Sequence, residues 1–345
     1  MNQPHYLAFV GTNSVRGSQG IYSVSIDGET LRPTLAATHQ VYNTGALSIS
    51  KAHNWLYAAS EGMTFKGLAD GGVTGYSYDE AGVLTELGAA RSHGQRTCAV
   101  AVDGADQNVY GANFYVGTWA KWPLSETGAP QPASLVVAPP EVPDAFLNAL
   151  HCILPIGENY VGVISLTECA LVVYRTADGS RVTEYVFPNR PFPRYLEVCG
   201  DCIYALMQDP GDIYVFKNRL DENGSIDLIQ TISVQRGKME HYGTTTIRAT
   251  PNHRLMLAAT REANSLTVFR ILPNGCLELA DVVTLPGETP RDFGISQDGV
   301  FTVACLQRTN EICIHRIDYE NATLIDTGYK LSIPSPAAMA ITGRL

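Results

Sequence analysis

Arg96, Arg194, Arg261 and Arg291, together with His151 and Glu61, fall at like points of a strand pattern that repeats along this chain. Guanidinium groups present planar forks of donors that match a carboxylate or a phosphate. An imidazole with an ordinary pKa of about 6.5 suits a general base at neutral pH. Glu61 supplies the one carboxylate of the set, either for proton work or to offset the arginines. Asn113, Gln208 and Gln307 occupy equivalent strand ends. Their neutral amides can hydrogen-bond a hydroxyl or a carbonyl but cannot take a proton. Thr12 and Thr246 share the pattern and read as ordinary polar strand ends. The chemistry implied is capture of a small carboxylate or phosphate beside a single base.

The elements that must position these residues come from a repeat. Seven apolar segments begin at Tyr6, Leu56, Val109, Tyr160, Ile203, Leu255 and Phe301. Their successive spacings of 50, 53, 51, 43, 52 and 46 residues are those of a propeller blade. Upstream of each lies a short strand ending in a polar turn, such as Ala46-Leu47-Ser48-Ile49-Ser50 before Lys51-Ala52-His53-Asn54. Downstream comes an alternating strand such as Leu266-Thr267-Val268-Phe269, then a turn and a last strand such as Leu277-Glu278-Leu279. Four strands joined by tight turns make one blade, and seven blades make an all-β, seven-bladed propeller occupying residues 1–345 as one domain. Strands are named A to D outward from the axis, with the recurring segment as B. The first B has no A before it, whereas Ala337-Ala338-Met339-Ala340-Ile341 reads as an A with no B after it. Their pairing would close the ring. Antiparallel A and B strands place the start of A and the end of B on one face, so all the residues above should ring one mouth of the central channel.

Bulk properties narrow the function. Lys and Arg number 24 against 34 Asp and Glu, a net charge of −10, which argues against nucleic-acid and anionic-membrane surfaces. With 45% apolar and 17% charged residues the chain can bury a large core. No basic-then-apolar leader opens it, and no stretch approaches the roughly 18 apolar residues of a membrane span. The eight cysteines mostly sit in apolar runs, as at Cys98, Cys152 and Cys305, and read as small hydrophobes in a reducing cytoplasm. Cys199-Gly200-Asp201-Cys202 has the spacing of half a zinc site, but Gly-Asp between apolar runs is hairpin chemistry. Asn223-Gly224-Ser225 reads as another hairpin turn. Gly67-Leu68-Ala69-Asp70-Gly71-Gly72 precedes a strand, so it lacks the helix N-terminus that phosphate-cradling loops use. No metal or cofactor is expected.

In order and at this spacing, several short motifs resemble the seven-bladed lactonase family. They are Val10-Gly11-Thr12, Gly20-Ile21-Tyr22, Tyr57 to Glu61, Ala112-Asn113-Phe114, Leu150-His151, Pro193-Arg194, Thr260-Arg261, Thr289-Pro290-Arg291-Asp292-Phe293 and Leu306-Gln307. The family includes bacterial propeller-type 6-phosphogluconolactonase and fungal 3-carboxy-cis,cis-muconate lactonizing enzyme. The resemblance implies a catalytic set of His151, Arg194, Arg261 and, where the muconate enzyme has Glu, Gln208. The strand-end ring adds Glu61, Arg96, Asn113, Arg291 and Gln307 as substrate-binding residues. Tyr195, Ser165 and Cys169 also depart from the family pattern. The expected activity is hydrolysis of a small anionic sugar lactone, with His151 as base. The alternatives are a muconate cycloisomerase and a propeller that only binds a ligand or partner.

Overall fold

The computed structural model describes residues 4–138, 148–235, 237 and 241–345; Met1 to Gln3, part of the amino terminus read above, lie outside them. The described strands form seven four-stranded antiparallel sheets. The A strands are Pro336–Ile341, Thr44–Ile49, Gln95–Val102, Leu150–Ile156, Pro193–Cys199, Thr244–Ala249 and Pro290–Ile295, for blades 1 to 7. The B strands are His5–Thr12, Trp55–Ser60, Asn108–Tyr115, Tyr160–Ser165, Cys202–Met207, Leu255–Thr260 and Phe301–Leu306. Each A strand packs against the next, and Pro336–Ile341 touches its neighbours on both sides, so the inner strands form a closed ring. Blade 1 is built from both ends of the chain, with Ala8 opposite Ile341 and Val10 opposite Met339.

The B segments read as near-continuous apolar runs because neighbouring blades cover both of their faces. Tyr160–Ser165, Cys202–Met207, Leu255–Thr260 and Phe301–Leu306 are buried throughout. The outermost strands alternate instead, as in Pro33–Gln40, where one face meets water. The core therefore lies between blades. Tyr6, Val10 and Met339 of blade 1 pack on Phe301, Val303 and Cys305 of blade 7, with the Tyr6 and Phe301 rings edge to face at 4.9 Å. Each such buried side chain contributes about 1.5–3 kcal/mol. The tyrosine of the repeat also ties blades together through its hydroxyl. Tyr57 Oη donates to Gly128 O at 3.1 Å and Tyr204 Oη to Gly275 O at 2.8 Å, each reaching a turn of the next blade.

Cys199 and Cys202 face each other across a two-residue turn with Gly200 at φ 58°, and both are free thiols. Asn223 and Gly224 end a single helical turn, Leu220–Asn223, that links two strands of blade 5 in place of a tight hairpin. Inside the channel, Asp292 fastens the closure. Its Oδ2 accepts from Met339 N at 2.8 Å, and its Oδ1 accepts from Thr246 Oγ1 at 3.0 Å and from Arg248 at 3.2 Å. One carboxylate thus joins blades 6, 7 and 1.

Two outcomes follow for stability. Deleting residues 335–345 removes strand A of blade 1 and should abolish cooperative unfolding in denaturant titration. Asp292→Ala leaves the Arg248 charge without its carboxylate and should lower stability by on the order of 3 kcal/mol, read as a shift of the unfolding midpoint.

Candidate active site

In every blade the A–B ladder slips near the mouth. The paired residues jump from Thr44 to Ala46, Thr97 to Ala99, Leu150 to Cys152, Pro193 to Tyr195, Thr244 to Ile247 and Pro290 to Asp292. In blade 1 they jump from Pro336 to Ala338. Each slip is a β-bulge that frees an inner-strand residue from the ladder and re-aims it. The freed residues are Ala337, Gly45, Cys98, His151, Arg194, Thr245 with Thr246, and Arg291. A second ring follows one step beyond the B residue paired at the mouth side of each slip: Asn13, Glu61, Phe114, Leu166, Gln208, Arg261 and Gln307.

These registers place His151, Arg194, Arg291, Glu61, Gln208, Arg261 and Gln307 where the repeat predicts, and they correct three positions. Asn113 is not at the mouth. It is fully buried, accepting from Thr97 Oγ1 at 2.8 Å and donating to Thr118 Oγ1 at 2.8 Å, so its amide is spent inside blade 3 and Phe114 takes the ring position. Thr12 is likewise buried, and its neighbour Asn13 takes the place expected of it. Arg96 precedes the bulge at Cys98; it reaches the site with φ 55° and its guanidinium 5.1 Å from the Phe114 ring centroid and 5.3 Å from that of Tyr115. Thr246 gives its hydroxyl to Asp292.

The mouth divides into two arcs. Over blades 7, 1, 2 and 3 runs a polar chain: Gln307 Nε2 donates to Asn13 Oδ1 at 2.7 Å, and Asn13 Nδ2 donates to Glu61 Oε2 at 3.4 Å. Arg96 then stands 3.8 Å from Glu61 Oε1. Gly45 makes this possible, because a Cβ there would come within 2.6 Å of Glu61 Cδ and 2.9 Å of its Cβ. Where other blades send a side chain inward, blade 2 sends none and Glu61 fills the space.

Over blades 4 to 7 the arc is cationic. Arg194, only 5% exposed, donates from Nε to Thr245 O at 3.1 Å and from Nη1 to Gln208 Oε1 at 2.7 Å. Arg261 Nε donates to Gly243 O at 2.9 Å. Among the described residues, none of Arg194, Arg261 and Arg291 has a carboxylate in ion-pair contact, and the Arg291 guanidinium makes no hydrogen bond to any of them. Burial first, then the charges of Arg291 and Arg261, push the Arg194 pKa well below its ordinary value, with Glu61 pulling the other way. Burial and Arg291 lower Arg261 in the same sense. His151 sits beside Phe114, ring centroids 6.0 Å apart and nearly perpendicular, and its Nδ1 is buried without a partner. Burial, then Arg194 and Arg291, hold its pKa well below the usual 6.5. The ring is therefore neutral through the physiological range, a correction to the ordinary titration expected from sequence. Cys98 packs under this histidine, its thiol 3.4 Å from Leu150 O and 3.6 Å from His151 O, and burial pushes its pKa up.

Sequence reasoning missed Asn13, Phe114, Tyr115, Cys98 and Gly45. One residue of shift at each strand end would have found Asn13 and Phe114. Among the described residues no three His, Cys, Asp or Glu side chains gather as metal ligands, and no helix is long and apolar enough to cross a membrane.

The profile of a family described as "Lactonase, 7-bladed beta-propeller" matches residues 7–341. The chain belongs to the seven-bladed β-propeller lactonase family. It is 27% identical over 348 residues to a 6-phosphogluconolactonase of Bacillus subtilis (strain 168), covering 97% of each chain. It is also 27% identical over 266 residues to a 6-phosphogluconolactonase of Klebsiella pneumoniae (strain 342), covering 72% of this chain and 74% of that one. Among solved structures, the periplasmic gluconolactonase of Pseudomonas aeruginosa superposes with a TM-score of 0.87 at 20% identity, over 98% of this chain and 99% of that one. A protein from Lactobacillus plantarum gives 0.86 at 22% identity, over 98% and 99%. At those identities the two structures speak for the fold alone.

Gly45→Ala should displace the Glu61 carboxylate and loosen the polar arc of this lactonase-family site. A double-mutant cycle of Gly45→Ala with Glu61→Ala, measured by chemical unfolding, should show a coupling of about 1 kcal/mol or more. Additivity would mean that the two positions do not share this space.

Proposed function

We propose that this protein hydrolyses a small anionic sugar lactone, with 6-phosphogluconolactone as the first candidate. The observation that carries the reading is the cationic arc: Arg194, Arg261 and Arg291 around His151 with no carboxylate, among the described residues, in contact with any of them. Such an arc is built for a ligand that brings its own negative charge. The 6-phosphogluconolactonase names of the Bacillus and Klebsiella relatives support the same substrate class.

In this reading the arginines hold the phosphate and steady the oxyanion that forms when water attacks the lactone carbonyl. His151, neutral in the free protein, takes the proton from that water and returns it to the departing ring oxygen. Glu61 is held by Asn13 and Arg96 and keeps the opposite arc polar for the sugar hydroxyls. Phe114 and Tyr115 provide an apolar wall beside them. Lactonization of a carboxylated muconate finds no support in these relatives. It would also need a proton at carbon that the Gln208 amide, bonded to Arg194, cannot supply. We infer further that residues 1–345 act as one domain and that the protein works in the cytoplasm, a placement supported by eight free cysteines.

A lactone panel on the purified protein tests this. His151→Ala should lower kcat by about 10²-fold or more, and Arg194→Ala should lower kcat/KM by a similar factor. Full activity in both variants would remove the assignment, and tight anion binding without turnover would turn the reading toward a binding propeller. The pH profile carries a sign. The free enzyme keeps His151 neutral until well below pH 6.5, so kcat/KM should stay level through neutrality and fall only in acid. A bound anion offsets the arginines and raises the imidazole pKa, so the acid limb of kcat should lie at higher pH than that of kcat/KM.

A further inference from the structure

We propose that Gln208 is the specificity-setting residue of this mouth: as a neutral amide it orients Arg194 without neutralising it, reserving the cationic arc for a doubly charged anion. The inference rests on the site assigned above but concerns which charge the site selects, not whether hydrolysis follows.

The geometry is specific. Gln208 follows Cys202–Met207 and is pinned by its backbone, its N–H donating to Phe192 O at 2.7 Å and its carbonyl accepting from Thr244 N at 3.1 Å. The side chain therefore leaves a fixed point and meets Arg194 Nη1 at 2.7 Å through Oε1. Thr245 O takes Arg194 Nε from the other side. Both acceptors are neutral, so the guanidinium is held in place by two hydrogen bonds while its charge stays uncompensated. Arg261 is held in the same manner, by Gly243 O alone. Three guanidiniums thus face one opening, two of them held by hydrogen bonds, and burial together with their mutual repulsion lowers the pKa values of Arg194 and Arg261.

A carboxylate at position 208 would fit the same volume and accept the same hydrogen bond. It would also close a charge-assisted pair with Arg194 and remove one positive charge from what a ligand feels. The opposite arc cannot compensate, because Glu61 already faces Arg96 and Asn13. The difference between amide and acid is thus almost purely one of charge. It should weigh more on a ligand carrying two negative charges at the arc than on one carrying a single charge.

The test compares binding of 6-phosphogluconate with binding of gluconate, which lacks the phosphate, by calorimetry at fixed salt. The wild-type protein should prefer the phosphorylated ligand by at least about tenfold, the scale of one added charge interaction in a half-wet site. Gln208→Glu should shrink that preference by about tenfold and move the His151 imidazole titration, followed by NMR, to higher pH. Gln208→Ala, which frees Arg194 without neutralising it, should weaken both ligands and keep their ratio. Arg291→Gln removes a charge with no new carboxylate and should shrink the preference as Gln208→Glu does. Equal preference in wild type and Gln208→Glu overturns the proposal, as does a wild-type protein that does not prefer phosphate. Wild-type binding with the expected preference but no hydrolysis would defeat the lactonase reading while supporting this one.

Discussion

Near the mouth of the channel, all seven ladders between the two innermost strands slip. That recurring bulge is the constraint behind the whole site. A residue held in a ladder has its side chain committed to a face that a neighbouring blade covers. A residue released from it can turn toward the axis. Seven blades bring seven such releases to one opening, and what stands there decides the chemistry: His151, Arg194 and Arg291 on one side, Gly45 and Ala337 on the other. Gly45 matters as much as the arginines, because its empty volume is where Glu61 lies.

Bringing like charges together is unfavourable, and the propeller can bear it because its cohesion lies elsewhere. The apolar contacts sit between blades, with B strands buried throughout and aromatic pairs such as Tyr6 with Phe301 across the closing interface. The channel below the mouth holds the opposite arrangement, in which Asp292 takes Arg248, Thr246 and the Met339 amide together. Charge is thus satisfied where it fastens blades and left unsatisfied where a ligand can approach. Burial and then the same field keep His151 neutral, so anion binding and the basicity of the imidazole are linked through one electrostatic balance.

Much of this was legible in the sequence. Recurring apolar segments at blade spacing give the number of blades, and the orphan strands at the two ends give the closure, because hydrophobic periodicity and strand pairing are local and additive signals. The family resemblance and the strand-end rule led to His151, Arg194, Arg261, Arg291, Glu61, Gln208 and Gln307. Asn113, Thr12 and Arg96 were misplaced by one or two residues. A bulge adds a residue without altering the apolar pattern on either side, so register near the mouth cannot be counted from composition. Asn13 and Phe114 lay just past the boundary that the pattern suggested.

Periodicity along the chain was enough for the all-β repeat, the seven blades, the two-ended closure and the residue types gathered at one end of the strands. Which of those side chains are spent and which are free emerged only when the blades came together. Asn113 is consumed by Thr97 and Thr118, while Arg194 keeps its charge because its partners are an amide and a backbone carbonyl. The physical reason is that fold follows from near-neighbour periodicity, whereas charge balance and pKa depend on distances between residues that different blades bring together.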